Sequence, residues 1–249
     1  MKSFAALVGF AVLLLAAAAV VAPASLLDAR LDTATQGRLR LADAAGSIWS
    51  GRGLVTNPQR TWSLPISWKV DPRSLARGDV VITLQAVEGG DLPRGEIAWR
   101  DAGLAMTGVA FTVPATAMNG STATGNAMAL GGLVAFDAPQ LIWSEKGGDG
   151  TATARWSGAR LAGSAGTLAL GTVTANLVPR NGRIEGRVGN RGGDVRIDGE
   201  FAWAEAGIEV SATLAALPAT PPAIVRALNA LGTPDANGAV HVHWRGGTR

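Results

Sequence analysis

The side chains that could do chemistry are few. Both histidines of the 249-residue chain stand in Val240-His241-Val242-His243-Trp244, two residues apart. On a strand that spacing puts both imidazoles on one face, opposite Val240, Val242 and Trp244, where they could share a metal ion. The spacing offers no third ligand, and the chain contains no cysteine. The preferred reading is a pair of exposed strand histidines near the C-terminus, with no metal site.

Two acidic pairs, Glu96 with Asp101 and Glu200 with Glu205, have the composition of the carboxylates that flank a glycosidic bond. They recur at the same place in two similar segments, which favours a structural role at a hairpin edge. A serine nucleophile on a strand-to-helix elbow needs G-x-S-x-G, and Gly163-Ser164-Ala165-Gly166 lacks that spacing. Neither a phosphate-cradling loop ending in Lys-Ser/Thr nor a G-x-G-x-x-G turn occurs. The pattern therefore predicts no catalytic, cofactor-binding or metal-binding residue and no enzyme activity.

The elements that would position these residues occur twice. Residues 95–107 read G-E-I-A-W-R-D-A-G-L-A-M-T and residues 199–211 read G-E-F-A-W-A-E-A-G-I-E-V-S, an offset of 104. Each copy follows a Gly-Gly-Asp, at residues 89–91 and 192–194. Trp49-Ser50-Gly51 returns as Trp156-Ser157-Gly158, and Pro72-Arg73 as Pro179-Arg180, both at an offset of 107. A duplicated β unit is expected, with Trp49/Trp156 and Trp99/Trp203 as equivalent, buried core anchors. The alternative for the tryptophans is that some line a groove for an apolar ligand.

Gly and Pro punctuate the chain every 8–12 residues, as in all-β domains. Trp62, Leu64, Ile66 and Trp68 alternate with polar residues or proline, and Pro65 marks an edge or a bulge. Val173, Ala175 and Leu177, and later Ile208, Val210, Ala212 and Leu214, alternate likewise. Half-buried strands of this kind predict antiparallel pairing. Two short helices are predicted: a capped turn at Asp71-Pro72, ended by Gly78, and residues 222–231, whose Ile224, Val225, Leu228 and Leu231 share a face. The expected fold is all-β: an N-terminal transmembrane helix, then two similar antiparallel β-sheet repeats forming a twisted sheet or partly open barrel. The expected division is residues 1–30 as anchor and linker, 31–120 as the first repeat, 121–150 as a junction, and 151–249 as the second repeat with a short C-terminal helix and strand.

Residues 4–22 carry no charged or strongly polar side chain. As a helix they would be about 28 Å long, close to the hydrocarbon thickness of a bilayer. An uncleaved anchor is the preferred reading, with a cleaved signal peptide leaving at Ala22-Pro23-Ala24 as the alternative. Either way residues from Gly37 onward cross the membrane. Absence of cysteine excludes disulfides, and the net charge of +3 is spread singly among strands, which argues against nucleic acid.

Four features in order carry a resemblance: the apolar span ending Ala22-Pro23-Ala24-Ser25-Leu26-Leu27; Gly46-Ser47-Ile48-Trp49-Ser50-Gly51 close behind Gly37-Arg38-Leu39-Arg40-Leu41; Trp68 followed by the turn at residues 72–79; and Leu228-Asn229-Ala230-Leu231-Gly232-Thr233-Pro234-Asp235-Ala236-Asn237-Gly238. Together they resemble the N component of the bacterial type II secretion system, and more remotely the AsmA-like periplasmic β proteins. The resemblance implies a single-pass inner-membrane protein with a periplasmic β domain. It implies a non-enzymatic, cofactor-free accessory role, with the outer-membrane secretin or the inner-membrane platform as partners. The remoter likeness implies a lipid-binding or lipid-bridging alternative.

Overall fold

The computed structural model of the chain describes residues 22–87, 90–100, 103–118, 129–163, 166–204, 207–218, 220–229 and 232–246. The apolar span at residues 4–22 lies outside them except for Ala22. Among the described residues no helix is long and apolar enough to cross a membrane. The chain divides into two compact units, Met1–Asp91 and Leu92–Arg249.

In the first unit a helix, α1 (Ser25–Ala34), precedes strands β1 (Arg40–Gly46), β2 (Ser50–Thr56), β3 (Ser63–Val70) and β4 (Val80–Gln85), with the short helix α2 (Pro72–Leu75) between the last two. Each strand pairs antiparallel with the next. The alternation in β3 is realised: Trp68 is buried with Leu41 and Ala24, and Leu27 and Leu31 of α1 pack on that cluster. Pro65 pairs with Leu54 of β2, while the β3–β4 ladder covers only Ser67 to Val70. The proline therefore sits where β3 has one partner, and its missing N–H costs no ladder bond there. Asp71 caps α2 by accepting the Arg73 N–H at 3.0 Å, and Gly78 follows at φ +82°.

The α1 helix was not legible as a separate element, because its apolar positions continue the run before it. Tertiary contacts fix it. The Asp28 carboxylate accepts from the Arg40 guanidinium at 2.6 Å and from the Leu41 N–H at 2.8 Å, tying helix to strand.

The second unit is a meander of nine described strands: β5 (Arg94–Arg100), β6 (Gly103–Pro114), β7 (Ala129–Ser144), β8 (Gly147–Gly163), β9 (Gly166–Arg180), β10 (Arg183–Arg191), β11 (Val195–Ala204), β12 (Gly207–Ala216) and β13 (Ala239–Gly246). A 3-10 turn (Ala115–Met118) follows β6, and helix α3 (Pro222–Asn229) precedes β13. Consecutive strands pair antiparallel throughout. The strand pattern runs through residues 129–150, the stretch read as a junction; the rest of that stretch, residues 121–128, lies outside the described residues. β7, β8 and β9 hold 16, 17 and 15 residues, and register shifts in their ladders bend them.

Two clusters fill this unit. Val109, Ala138, Leu141 and Ala152 are buried with Ile97, Met106, Phe111, Phe136 and Leu177 against them. Ile224 and Leu228 of α3 are buried with Ala159, Leu170 and Val195. A helix of eight residues is too short to hold alone, and this contact supplies what it lacks. Leu231, expected on the same face, lies outside the described residues. The apolar face curls: the rings of Trp143 of β7 and Trp203 of β11 meet in a tilted contact at 5.7 Å with three strands between them in pairing order. The sheet nevertheless stays open, since β13 pairs with β12 alone.

The structure matches the expected repeat only in one pair of hairpins, near their turns. β5–β6 and β11–β12 share one register from the turn to Glu96 and Glu200, with Trp99 opposite Leu104 and Trp203 opposite Ile208, and a bulge beyond Glu96 in β5–β6 alone ends the match. The matches at offset 107 fall on different elements. Trp49 lies in the bend between β1 and β2, whereas Trp156 is inside β8; Pro72 opens α2, whereas Pro179 is in β9. Burial is also corrected. Trp99 is 65 % exposed, Trp49, Trp156 and Trp203 are half-buried, and Trp68 and Trp62 are the buried rings. Strand alternation assigns a face, but whether that face is covered depends on what packs over it.

Candidate functional site

Of the residues singled out for chemistry, Glu200 and His243 come together on the polar face of the last hairpins. Pairing aligns Asn176, Arg187, Glu200, Ser211 and His243 in one row across β9 to β13. Strand alternation puts all five side chains on one face. They line an open groove of about 820 Å³, with Arg180, Glu185 and Glu209 at its side. Period-two alternation in five successive sequences builds this row, and antiparallel register brings it together.

Both histidines are exposed, as expected, and each meets a different carboxylate. The His241 ring lies 3.1 Å from Thr213 Oγ1 through Nδ1 and 3.2 Å from Asp235 Oδ2 through Nε2. His243 Nε2 is 3.6 Å from Glu209 Oε1, the oxygen that also accepts from Arg245 at 2.9 Å. The Arg245 hydrogen bond, and then its charge, hold the Glu209 carboxyl below the usual range. Backbone N–H groups of Ala239 and Asn237, followed by His241, do the same for Asp235. Among the described residues no three His, Asp or Glu side chains are grouped to hold a metal.

The acidic pairs are not brought together as a site. Glu200 is bound to Arg187 at 3.0 Å on an exposed face, and Glu96 is exposed on β5. Their proposed partners, Asp101 and Glu205, lie outside the described residues, as do Ser164 and Ala165. Ion pairs this exposed contribute little to stability. Together they form an exposed row of alternating charge.

Sequence reasoning missed Asn190. Its Nδ2 donates to the carbonyls of Val195 at 2.7 Å, Leu170 at 2.9 Å and Gly192 at 3.2 Å, while its Oδ1 accepts the Ile197 N–H at 2.8 Å. It locks the β10–β11 turn to β9. The adjacent Gly192-Gly193, both at positive φ, was the available signal for a turn needing such a clamp.

The described residues thus form antiparallel sheet in each unit, and the second unit carries a polar face and the terminal strand β13. The family model for type II secretion system (T2SS), protein N, matches residues 37–243, and the chain belongs to that family. No curated protein and no solved structure gives a match.

Proposed function

We propose that the chain is a non-enzymatic accessory component of the type II secretion machinery, anchored in the inner membrane by residues 4–22 and presenting both β units to the periplasm. The observation that carries this reading is the family match, which spans β1 to most of β13. The apolar run before it has the length of a bilayer span. Sheet surfaces and strand ends that lack a second partner are suited to contacts with other envelope components, the secretin or the inner-membrane platform.

Photo-crosslinking probes at residues 61–70, in cells that secrete, test this directly. Adducts with secretion components, together with lost secretion on deletion of the chain, are the expected result. Lipid adducts without any secretion-component adduct would overturn the scaffold role in favour of a lipid-binding one. A mature N-terminus at Ser25 would overturn the anchor.

A further inference from the structure

The terminal strand β13 has its own logic. Ala239 gives its C=O to the Asp235 N–H at 2.8 Å and its N–H to Asp235 Oδ1 at 2.9 Å. Both backbone groups of Ala239 are thus turned away from β12. Backbone direction alternates along a strand, so the N–H and C=O groups of His241, His243 and Arg245 also face away from β12. Those of Val240, Val242 and Trp244 make the β12 ladder. Among the described residues, His241, His243 and Arg245 therefore have no partner strand on that side and present a row of donors and acceptors at an edge.

The loop before β13 caps the start of that edge, Asp235 bonding Ala239 and Gly232 lying beside the His241 carbonyl, but the rest of the edge is not blunted. Its sequence has no proline and no lysine, and its eight pairs with β12 run without a register shift. By contrast β1 carries a register shift between Ala42 and Ala45 and is tied to α1. Trp244 adds an exposed ring, at 54 %, in line with the fully buried Val240.

We propose that β13 is a self-pairing edge, joining a second copy of this chain antiparallel about a two-fold axis at His243. This register is selected by the backbone. Centring on His243 sets His241 against the second copy's Arg245 and His243 against its own counterpart, so every free N–H and C=O is used. Centring one residue earlier would need the Ala239 groups, which Asp235 already occupies. A two-fold keeps the faces matched, and it lays Trp244 against Val242 of the other copy, an aromatic–β-branched cross-strand pair. A strand pair alone buries little surface, so reversible association is expected. This inference does not rest on the secretion reading.

Introduced cysteines test it cleanly, because the chain has none of its own. In the full-length protein, His243→Cys should give a disulfide-linked dimer on air oxidation. His241→Cys and Arg245→Cys should give none singly, and should link when the two variants are mixed. His243→Pro removes one outward N–H and leaves the β12 ladder intact. It should reduce the mass at about 100 µM from twice 25.3 kDa to one chain, while His243→Ala stays dimeric. A monomeric wild-type chain at that concentration with no His243→Cys link overturns the proposal. Equal linking at all three positions overturns the register, and a link from His243→Cys only to another protein overturns the choice of a second copy.

Discussion

Trp143 and Trp203 meet in a tilted contact with ring centroids 5.7 Å apart and planes inclined by 35°, although β8, β9 and β10 lie between their strands in pairing order. Four strand spacings in a flat sheet would separate β7 from β11 by about 19 Å. The contact therefore requires curl, and Trp143 secures it further by donating Nε1–H to the Gly182 carbonyl at 3.2 Å in the β9–β10 turn. Trp203→Ala should cost about 2–3 kcal/mol, less than a fully buried tryptophan because both rings are half-exposed. Trp143→Ala should cost at least as much, since it also orphans that carbonyl. Urea unfolding of both variants, and of the pair to reveal coupling, measures this.

Asn190 should be equally sensitive despite its modest size. Its amide makes four hydrogen bonds that hold three segments, so Asn190→Ala should cost about 2–3 kcal/mol. Asn190→Asp is the sharper test. A carboxylate can still accept from Ile197 but cannot donate to Leu170 or Val195, and it sets negative charge against their carbonyls. Asn190→Asp should therefore be at least as unstable as the alanine variant, and a wild-type midpoint in urea would refute the clamp.

What the sequence revealed divides along physical lines. Strand alternation, turn glycines and the capped turn at Asp71 are local, and they were legible because each depends on neighbours within a few residues. The hairpin repeat was legible for the same reason. What it left hidden was long-range: the curl that joins Trp143 to Trp203, the Asn190 clamp, and the exposure of Trp99. None of these follows from spacing, because each depends on which strand comes to lie over which. The helix α1 escaped because its apolar side chains merge with the preceding run. In the candidate site, the two histidines and their face were readable, but their partners Glu209 and Asp235 required the register of β12 and the loop after α3.

The Asp28 contact gives a pH dependence with a defined sign. The Arg40 hydrogen bond, then the Leu41 N–H, lower the Asp28 carboxyl from the ordinary 3.8 to about 2. A carboxyl depressed in the folded state stabilises it fully above its unfolded value, and the contribution disappears as pH falls from about 4 toward 2. Asp28→Asn should cost about 1 kcal/mol at neutral pH, the pair being partly exposed. Between pH 4 and 2 the variant should approach wild type. Thermal unfolding across pH 2 to 7 reads both limbs, and a gap that persists unchanged at pH 2 would contradict the assignment.

Gly51 explains why a glycine follows Trp49-Ser50 and why Trp68 matters to it. The Trp68 ring lies across Gly51, its paired residue on β2, and donates Nε1–H to the Ile48 carbonyl at 3.3 Å. A Cβ at position 51 would fall 2.5 Å from Trp68 Cζ2 and 2.6 Å from the Ala45 carbonyl oxygen. Neither neighbour can yield freely, because the ring is buried among Leu41 and Ala24 and the carbonyl belongs to β1. Gly51→Ala should therefore cost about 2 kcal/mol through overpacking. Gly53 is the comparison on the same strand: its added Cβ would meet Leu41 Cδ1 at 2.9 Å and the Ala42 carbonyl oxygen at 3.2 Å, both longer than the contacts at Gly51. Gly53→Ala should cost less. Unfolding midpoints of the two variants compare them directly, and tryptophan fluorescence should shift in Gly51→Ala alone as the Trp68 ring is pushed outward. If Gly53→Ala proves the more damaging, the ring does not fix the residue at position 51.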